Sequence, residues 1–161
     1  MKVGSLAVAV DSQSLEVNAV QCEYDNLHEA MGVARKALES LPETPISAVG
    51  INIRYKLDAL PAKTVDRLRC DLDSELAALD YVRVENTISK NVEFNAGVIS
   101  LILSWDNSGH ATLVVNFNRT TQEHSEAIEW LALPIEELRT NAHNIAVRAL
   151  GIPESELNNE G

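Results

Sequence analysis

Val49-Gly50-Ile51-Asn52-Ile53-Arg54-Tyr55-Lys56-Leu57 is the stretch on which the fold turns. Val49, Ile51, Ile53, Tyr55 and Leu57 fall on one side of an extended chain. Asn52, Arg54 and Lys56 fall on the other, with Gly50 interrupting that side. A strict period of two with one apolar and one polar side marks a strand in an antiparallel sheet that keeps one wet face.

Outward from this strand, helices and strands follow in turn. Leu6, Val8 and Val10, then Leu15, Val17 and Ala19, alternate on either side of Asp11-Ser12-Gln13-Ser14, the pattern of an opening hairpin. Asn26 with Glu29 reads as a capping box for a helix from about Leu27 to Leu41, ended by Pro42 and Pro45. Beyond Pro61, the spacing of Val65, Leu68, Leu72, Leu76 and Leu79 predicts a second helix over Thr64–Leu79. Its outer side mixes Asp66, Asp71, Asp73 and Glu75 with Arg67 and Arg69, as a solvated face does.

Three strands are expected next, over Tyr81–Ser89, Phe94–Trp105 and Ala111–Arg119. Asp106-Asn107-Ser108-Gly109 joins the last two as a turn. Leu113, Val115 and Phe117 share one face, with Thr112, Asn116 and Asn118 opposite and Val114 as an apolar exception. Val98–Leu103 is apolar on both sides apart from Ser100, the composition of a central strand covered by helices. Gln122–Leu133 carries a short helix that places Ile128 and Leu131 inward. Pro134 opens a final helix with a stripe of Ile135, Leu138, Ala142, Ile145 and Ala149, stopped by Gly151-Ile152-Pro153.

The expected architecture is therefore α+β, a largely antiparallel sheet of about six strands in the order ββ-α-β-α-βββ-α-α, with helices mainly on one face. Residues 1–153 read as a single domain and 154–161 as a polar flexible tail. With 161 residues and 45% hydrophobic content, such a chain holds a core without disulfides or metal. Cys22 and Cys70 fit no ligand spacing and read as free thiols, mostly buried, in a reducing compartment. Met1–Ser5 has no apolar signal segment and the longest apolar run is too short for a bilayer, which points to the cytoplasm and away from membranes.

Charge narrows the function. Thirteen Lys and Arg against 24 Asp and Glu give a net charge of −11, which repels phosphate backbones and anionic lipid, so no nucleic-acid partner is expected. The acids are interspersed with Arg and Lys and make no DNA-like row. His28, His110, His124 and His143 fall outside metal-ligand spacing, so no metal is expected. Gly-x-Ser-x-Gly and the glycine-rich phosphate loops are missing, so no cofactor and no catalytic residue is assigned. Asn118-Arg119-Thr120 matches the glycosylation sequon, which has no meaning without secretion.

Two features remain. Asn52, Arg54 and Lys56 form a basic polar strip in an acidic protein, suited to an anionic ligand or an acidic peptide, unless cross-strand partners such as Glu85 or Glu93 neutralise it. Val98, Ile102 and Val114 add a second apolar side to strands whose first side is core. It is either covered by the last helices or a patch for self-association or client peptides.

Ile46-Ser47-Ala48-Val49-Gly50-Ile51-Asn52-Ile53-Arg54-Tyr55 resembles a strand pattern of a sporadically distributed bacterial family of unknown function. The layout is similar: an opening strand pair, a helix, a glycine-containing strand, a late hairpin and a closing helix. The family's Arg-Tyr-x-Asn order is not reproduced, and no catalytic residues come with the resemblance. The functions in view are a non-enzymatic binding or assembly module, acting on itself as dimer or larger oligomer or on another protein. Behind it stand a peptide-holding chaperone and an enzyme with a dispersed site, such as His110 or His143 with Arg54.

Overall fold

The computed structural model describes residues 2–3, 6–10, 15–19, 24–82 and 84–157. The alternating stretch is strand β4, Ala48–Leu57, after β1 (Lys2–Val3), β2 (Leu6–Val10), β3 (Leu15–Ala19) and helix α1 (Tyr24–Ser40). Helices α2 (Ala62–Leu68) and α3 (Asp71–Ala78) lead to β5 (Glu85–Phe94), β6 (Gly97–Asp106) and β7 (Ala111–Thr120). Helix α4 (His124–Trp130) is followed by α5 (Ile135–His143), which runs on as a π-helical turn over Asn144–Ala149, and by α6 (Glu154–Leu157).

The protein is α+β with an antiparallel sheet, but the strands do not form one sheet of six. β4, β7, β6 and β5 make a four-stranded sheet in that order, and β1, β2 and β3 pair among themselves. The opening hairpin is present as β2 against β3, with Val8 opposite Val17. Its turn, Asp11–Ser14, and Cys22 lie outside the described residues. In the larger sheet, β5, β6 and β7 meander back until β7 lies beside β4, so β4 and β5 are the edges.

One face of this sheet is the core. Ile51, Ile53, Tyr55 and Leu57 from β4, Leu113, Val115 and Phe117 from β7, and Ile99, Leu103 and Trp105 from β6 are buried in a single cluster. Met31 of α1, Trp130 of α4 and Leu138 and Ala142 of α5 cover them. Polar ties fix the layer: the Tyr24 and Tyr55 hydroxyls lie 2.8 Å apart, and the Trp130 indole N–H donates to the Phe117 carbonyl at 3.1 Å. Phe94 meets Phe117 and Trp130 edge-on at 5.3 and 6.0 Å. At the end of β7, the Arg119 guanidinium (2.8 Å) and the Thr121 hydroxyl (2.6 Å) both reach Glu126 of α4. The Thr121 hydrogen bond, and then Arg119, hold the Glu126 carboxyl below the usual glutamate range.

Several expectations are corrected. The first helix starts at Tyr24, so Asn26 lies inside it and does not cap it. The second helix breaks in two: Arg69 and Cys70 are extended, and the Asp73 carboxylate accepts the Cys70 N–H at 3.2 Å, restarting the helix. Cys70 is exposed at this break instead of buried. The strand expected at Tyr81–Ser89 begins at Glu85 and extends to Phe94, turning through Asn95 in a left-handed conformation (φ 49°). The short helix over 122–133 buries Ala127, Trp130 and Leu131, while Ile128 is half-buried. In the last helix the buried series is Leu138, Ala142, Ala146 and Leu150, a strict step of four, because the π-helical turn adds residues per turn; Ile145 packs against the core half-buried, as expected, and Ala149 is exposed.

The stop motif forms with Gly151 at φ 74° and the Ile152 N–H donating to the Ala146 carbonyl, with Ile152 buried. The start of the segment read as a polar tail is folded: α6 buries Leu157, and Glu154 sits 3.2 Å from His143. No described helix is long and apolar enough to cross a membrane.

Gly97 shows how tightly α4 is laid on the sheet. A Cβ there would collide with the Asn118 carbonyl oxygen and lie 2.6 Å from Cη2 of Trp130. Gly97→Ala therefore forces Trp130 off the sheet and lowers stability by about 2 to 3 kcal/mol, measured by urea unfolding. An unchanged midpoint would contradict this packing.

Candidate functional site

The opposite face of the four-stranded sheet is built by the same alternation. Gly50, Asn52, Arg54 and Lys56 of β4 point there, together with Thr112, Val114, Asn116 and Asn118 of β7. From β6 come Val98, Ser100, Ile102 and Ser104, and from β5 Glu85, Thr87, Ser89, Asn91 and Glu93. Every one of these residues is exposed or half-buried, so no described element covers the face. β6 is central, as expected, but helices cover only one side of it. Ile102 is 38% exposed, and Val98 and Val114 are half-buried; the closing helices lie on the other face and do not cover them.

The register resolves this face into rows. Arg54 lies beside Val114, which lies beside Ile102, which lies beside Ser89. The next row runs Lys56, Thr112, Ser104 and Thr87, with the Thr87 and Ser104 hydroxyls 2.9 Å apart. On the other side lies an all-polar row of Asn52, Asn116, Ser100 and Asn91. Oδ1 of Asn116 is buried without a hydrogen-bond partner, against the space where a Cβ on Gly50 would stand at 3.3 Å.

The structure thus brings Asn52, Arg54 and Lys56 onto one exposed strip, each two residues from the next. It does not supply the neutralising partners. Glu85 and Glu93 are on β5, three strand spacings from β4, which is about 14 Å. Among the described residues neither Arg54 nor Lys56 forms an ion pair. Their side-chain neighbours in the sheet are Val114 and Thr112. The open face therefore has its cations on the β4 edge, Val114 and Ile102 side by side with Val98 nearby among the polar residues of β7 and β6, and the carboxylates Glu85 and Glu93 on the β5 edge.

At one end of this face lies a shallow depression of about 370 Å³, bounded by Lys56, Asp58, Glu85, Ser104, Asp106 and His110. It joins His110 to the basic strip, but Arg54 and His143 do not line it, so the dispersed set considered from the sequence is not assembled. Asp106, Ser108 and His110 stand close together in the β6–β7 turn. Their order is wrong for nucleophilic catalysis. The Ser108 hydroxyl donates to Asp106 Oδ1 at 2.6 Å, and His110 Nδ1 is 2.7 Å from the same hydroxyl. A catalytic serine gives its proton to histidine, with the acid on the far ring nitrogen. Here the proton is committed to the carboxylate, and Nδ1 is also the ring nitrogen nearest Asp106, at 3.7 Å. The Ser108 hydroxyl is the main reason the Asp106 carboxyl is held below its usual range, helped by the Ser108 N–H and His110. The cluster caps a turn. Among the described residues no group of three or more His, Cys, Asp or Glu is placed to hold a metal ion.

Sequence reasoning missed a second exposed apolar segment. Leu72, Leu79, Tyr81, Val82 and Val84 are each more than half exposed. The helical spacing that pointed Leu72 and Leu79 inward is interrupted at Cys70, which frees α3 from the core. The chain was also compared with known proteins: no family model, no curated protein and no solved structure matches it.

Unpaired cations on an open face make a direct prediction about stability. Arg54→Ala with Lys56→Ala changes the unfolding free energy by less than about 0.5 kcal/mol, measured by denaturant titration of the dilute protein. A larger loss would mean that these side chains are committed to holding the fold.

Proposed function

We propose that this chain is a non-catalytic binding or assembly module of the cytoplasm, which engages a polypeptide surface through the open face of the four-stranded sheet. The observation that carries this reading is a strip of two cations that form no ion pair among the described residues, Arg54 and Lys56, with the half-buried Val114 and the exposed Ile102 in the row beside Arg54. An isolated cation is solvated and an isolated valine is unremarkable. Together on a flat surface they offer apolar area for affinity and charge for orientation, the division of labour of a protein interface.

The polarity of the face argues for a protein surface over a small molecule. Binding pockets for small ligands are concave and largely apolar, whereas this face is a broad sheet, and the depression at its end is shallow and lined by Lys56, Asp58, Glu85, Asp106 and His110 as well as by Leu57, Trp105 and Ala111. Its acidic edge and the net charge of −11 disfavour a nucleic acid. The layout shared with the sporadically distributed bacterial family is part of the same proposal and adds no chemistry to it. A peptide-holding chaperone is the second reading, favoured by the exposed Leu72, Leu79, Tyr81, Val82 and Val84 after the helix break.

Photo-crosslinking tests the first reading. With p-benzoylphenylalanine placed at position 102 or 114 in cells of the native host, a covalent adduct to a polypeptide forms on irradiation. The same group at positions 66 and 136, on α2 and α5, gives none. Adduct formation at the control positions alone, or at no position, contradicts the proposal.

A further inference from the structure

We infer that the occupant of the open face is a second copy of this chain, packed sheet on sheet about a two-fold axis that runs roughly along the strands between β6 and β7. This rests on the binding reading above and names its partner.

The charges select both the occupant and the axis. The cations of the face, Arg54 and Lys56, are on one edge strand, and the carboxylates Glu85 and Glu93 are on the other, with Asp58 and Asp106 at the end of the face beside Lys56. Two copies of a face can meet through two-fold axes of two kinds. An axis lying across the strands through the Val114–Ile102 row sets β4 over its own copy with Arg54 against Arg54; like charges juxtaposed in an interface cost several kcal/mol. An axis along the strands reverses the strand order, setting β4 over the partner's β5 and β7 over the partner's β6. The cationic edge then lies over the acidic edge, twice, by symmetry.

The same operation matches the middle of the face. Val114 and Ile102 are neighbours in one row, so reversal of strand order places each against the other's copy at the centre of the contact. Arg54 meets Ser89 in that row. Lys56 meets Thr87, one pleat from Glu85, within reach of a lysine side chain given the angle of about 30° at which aligned sheets cross. No main-chain movement is required, because no described element stands over the face.

The size is sufficient. Four strands of ten residues make a face of about 19 by 34 Å, or about 650 Å² before the relief of side chains is counted. A stable interface buries about 800 Å² on each partner. The polar rows flanking Val114 and Ile102 resemble the rim of a reversible interface, which predicts a dimer that dissociates on dilution.

Sedimentation equilibrium of the full chain tests this with a charge exchange. The wild type is a dimer in reversible equilibrium at micromolar concentrations. Arg54→Glu with Lys56→Glu makes both edges acidic, and Glu85→Lys with Glu93→Lys makes both edges basic. Each variant alone self-associates about tenfold or more weakly than the wild type. An equimolar mixture of the two recovers the dimer, because each edge again meets its opposite. Circular dichroism confirms that each variant is folded, and recovery on mixing is in any case possible only for folded chains. A wild type that stays monomeric overturns the inference. So does a dimer that is indifferent to the exchanges, or a mixture that fails to recover it. A monomeric wild type that still yields crosslinks from positions 102 and 114 to another protein overturns the self-pairing alone and leaves the binding reading standing.

Discussion

The layering of this molecule depends on one contact. Trp130 lays its indole across Gly97 and donates its N–H to the Phe117 carbonyl, which fixes α4 on one face of the sheet. α1 and α5 share that face, tied by the Tyr24–Tyr55 hydroxyl pair and by Leu138 and Ala142 in the core. With all the core helices on one side, the alternation of β4 and β7 has only one consequence: whatever points the other way is left to solvent or to a partner. Asn52, Arg54, Lys56, Val114 and Ile102 are functional candidates because of where Trp130 sits, not because of any motif among them.

Charge gives that open face its direction. In an acidic protein, two cations on one strand that form no ion pair among the described residues are available to another molecule. Glu85 and Glu93 are held three strands away by the sheet itself, while Asp58 and Asp106 stand at the end of the face around the depression that Lys56 also lines. The β6–β7 turn illustrates the opposite case. There Asp106, Ser108 and His110 satisfy each other so completely that a set of residues with catalytic names does only local work.

Much of this was legible in the residue pattern. Strict alternation placed β4 and the faces of β7 correctly, and the Asp106–Gly109 turn located the β6–β7 hairpin. The strip at Asn52, Arg54 and Lys56 was visible for the same reason, since a period of two puts alternate side chains together regardless of what lies around them. What alternation could not reveal was the second layer. Val98, Ile102 and Val114 had the composition of a helix-covered surface, and only the siting of α4 and α5 left them bare. The break at Cys70 was hidden because Leu68, Leu72 and Leu76 keep helical spacing across it; the side-chain cap from Asp73 competes locally with a continuous helix. The π-helical turn of the last helix was hidden likewise, since Ala149 fits the ordinary period that the structure abandons in favour of Ala146 and Leu150.

In the isolated chain the face opposite Trp130 is bare of the described elements. Hydroxyl-radical footprinting read residue by residue, across a dilution series, tests it most directly. In the most dilute samples Ile102 and Val114 are oxidised several-fold faster than their strand neighbours Leu103 and Leu113, which are buried at 1% and 0% exposure. Equal protection of all four residues at the lowest concentration would mean that the chain covers this face itself, and would contradict the account.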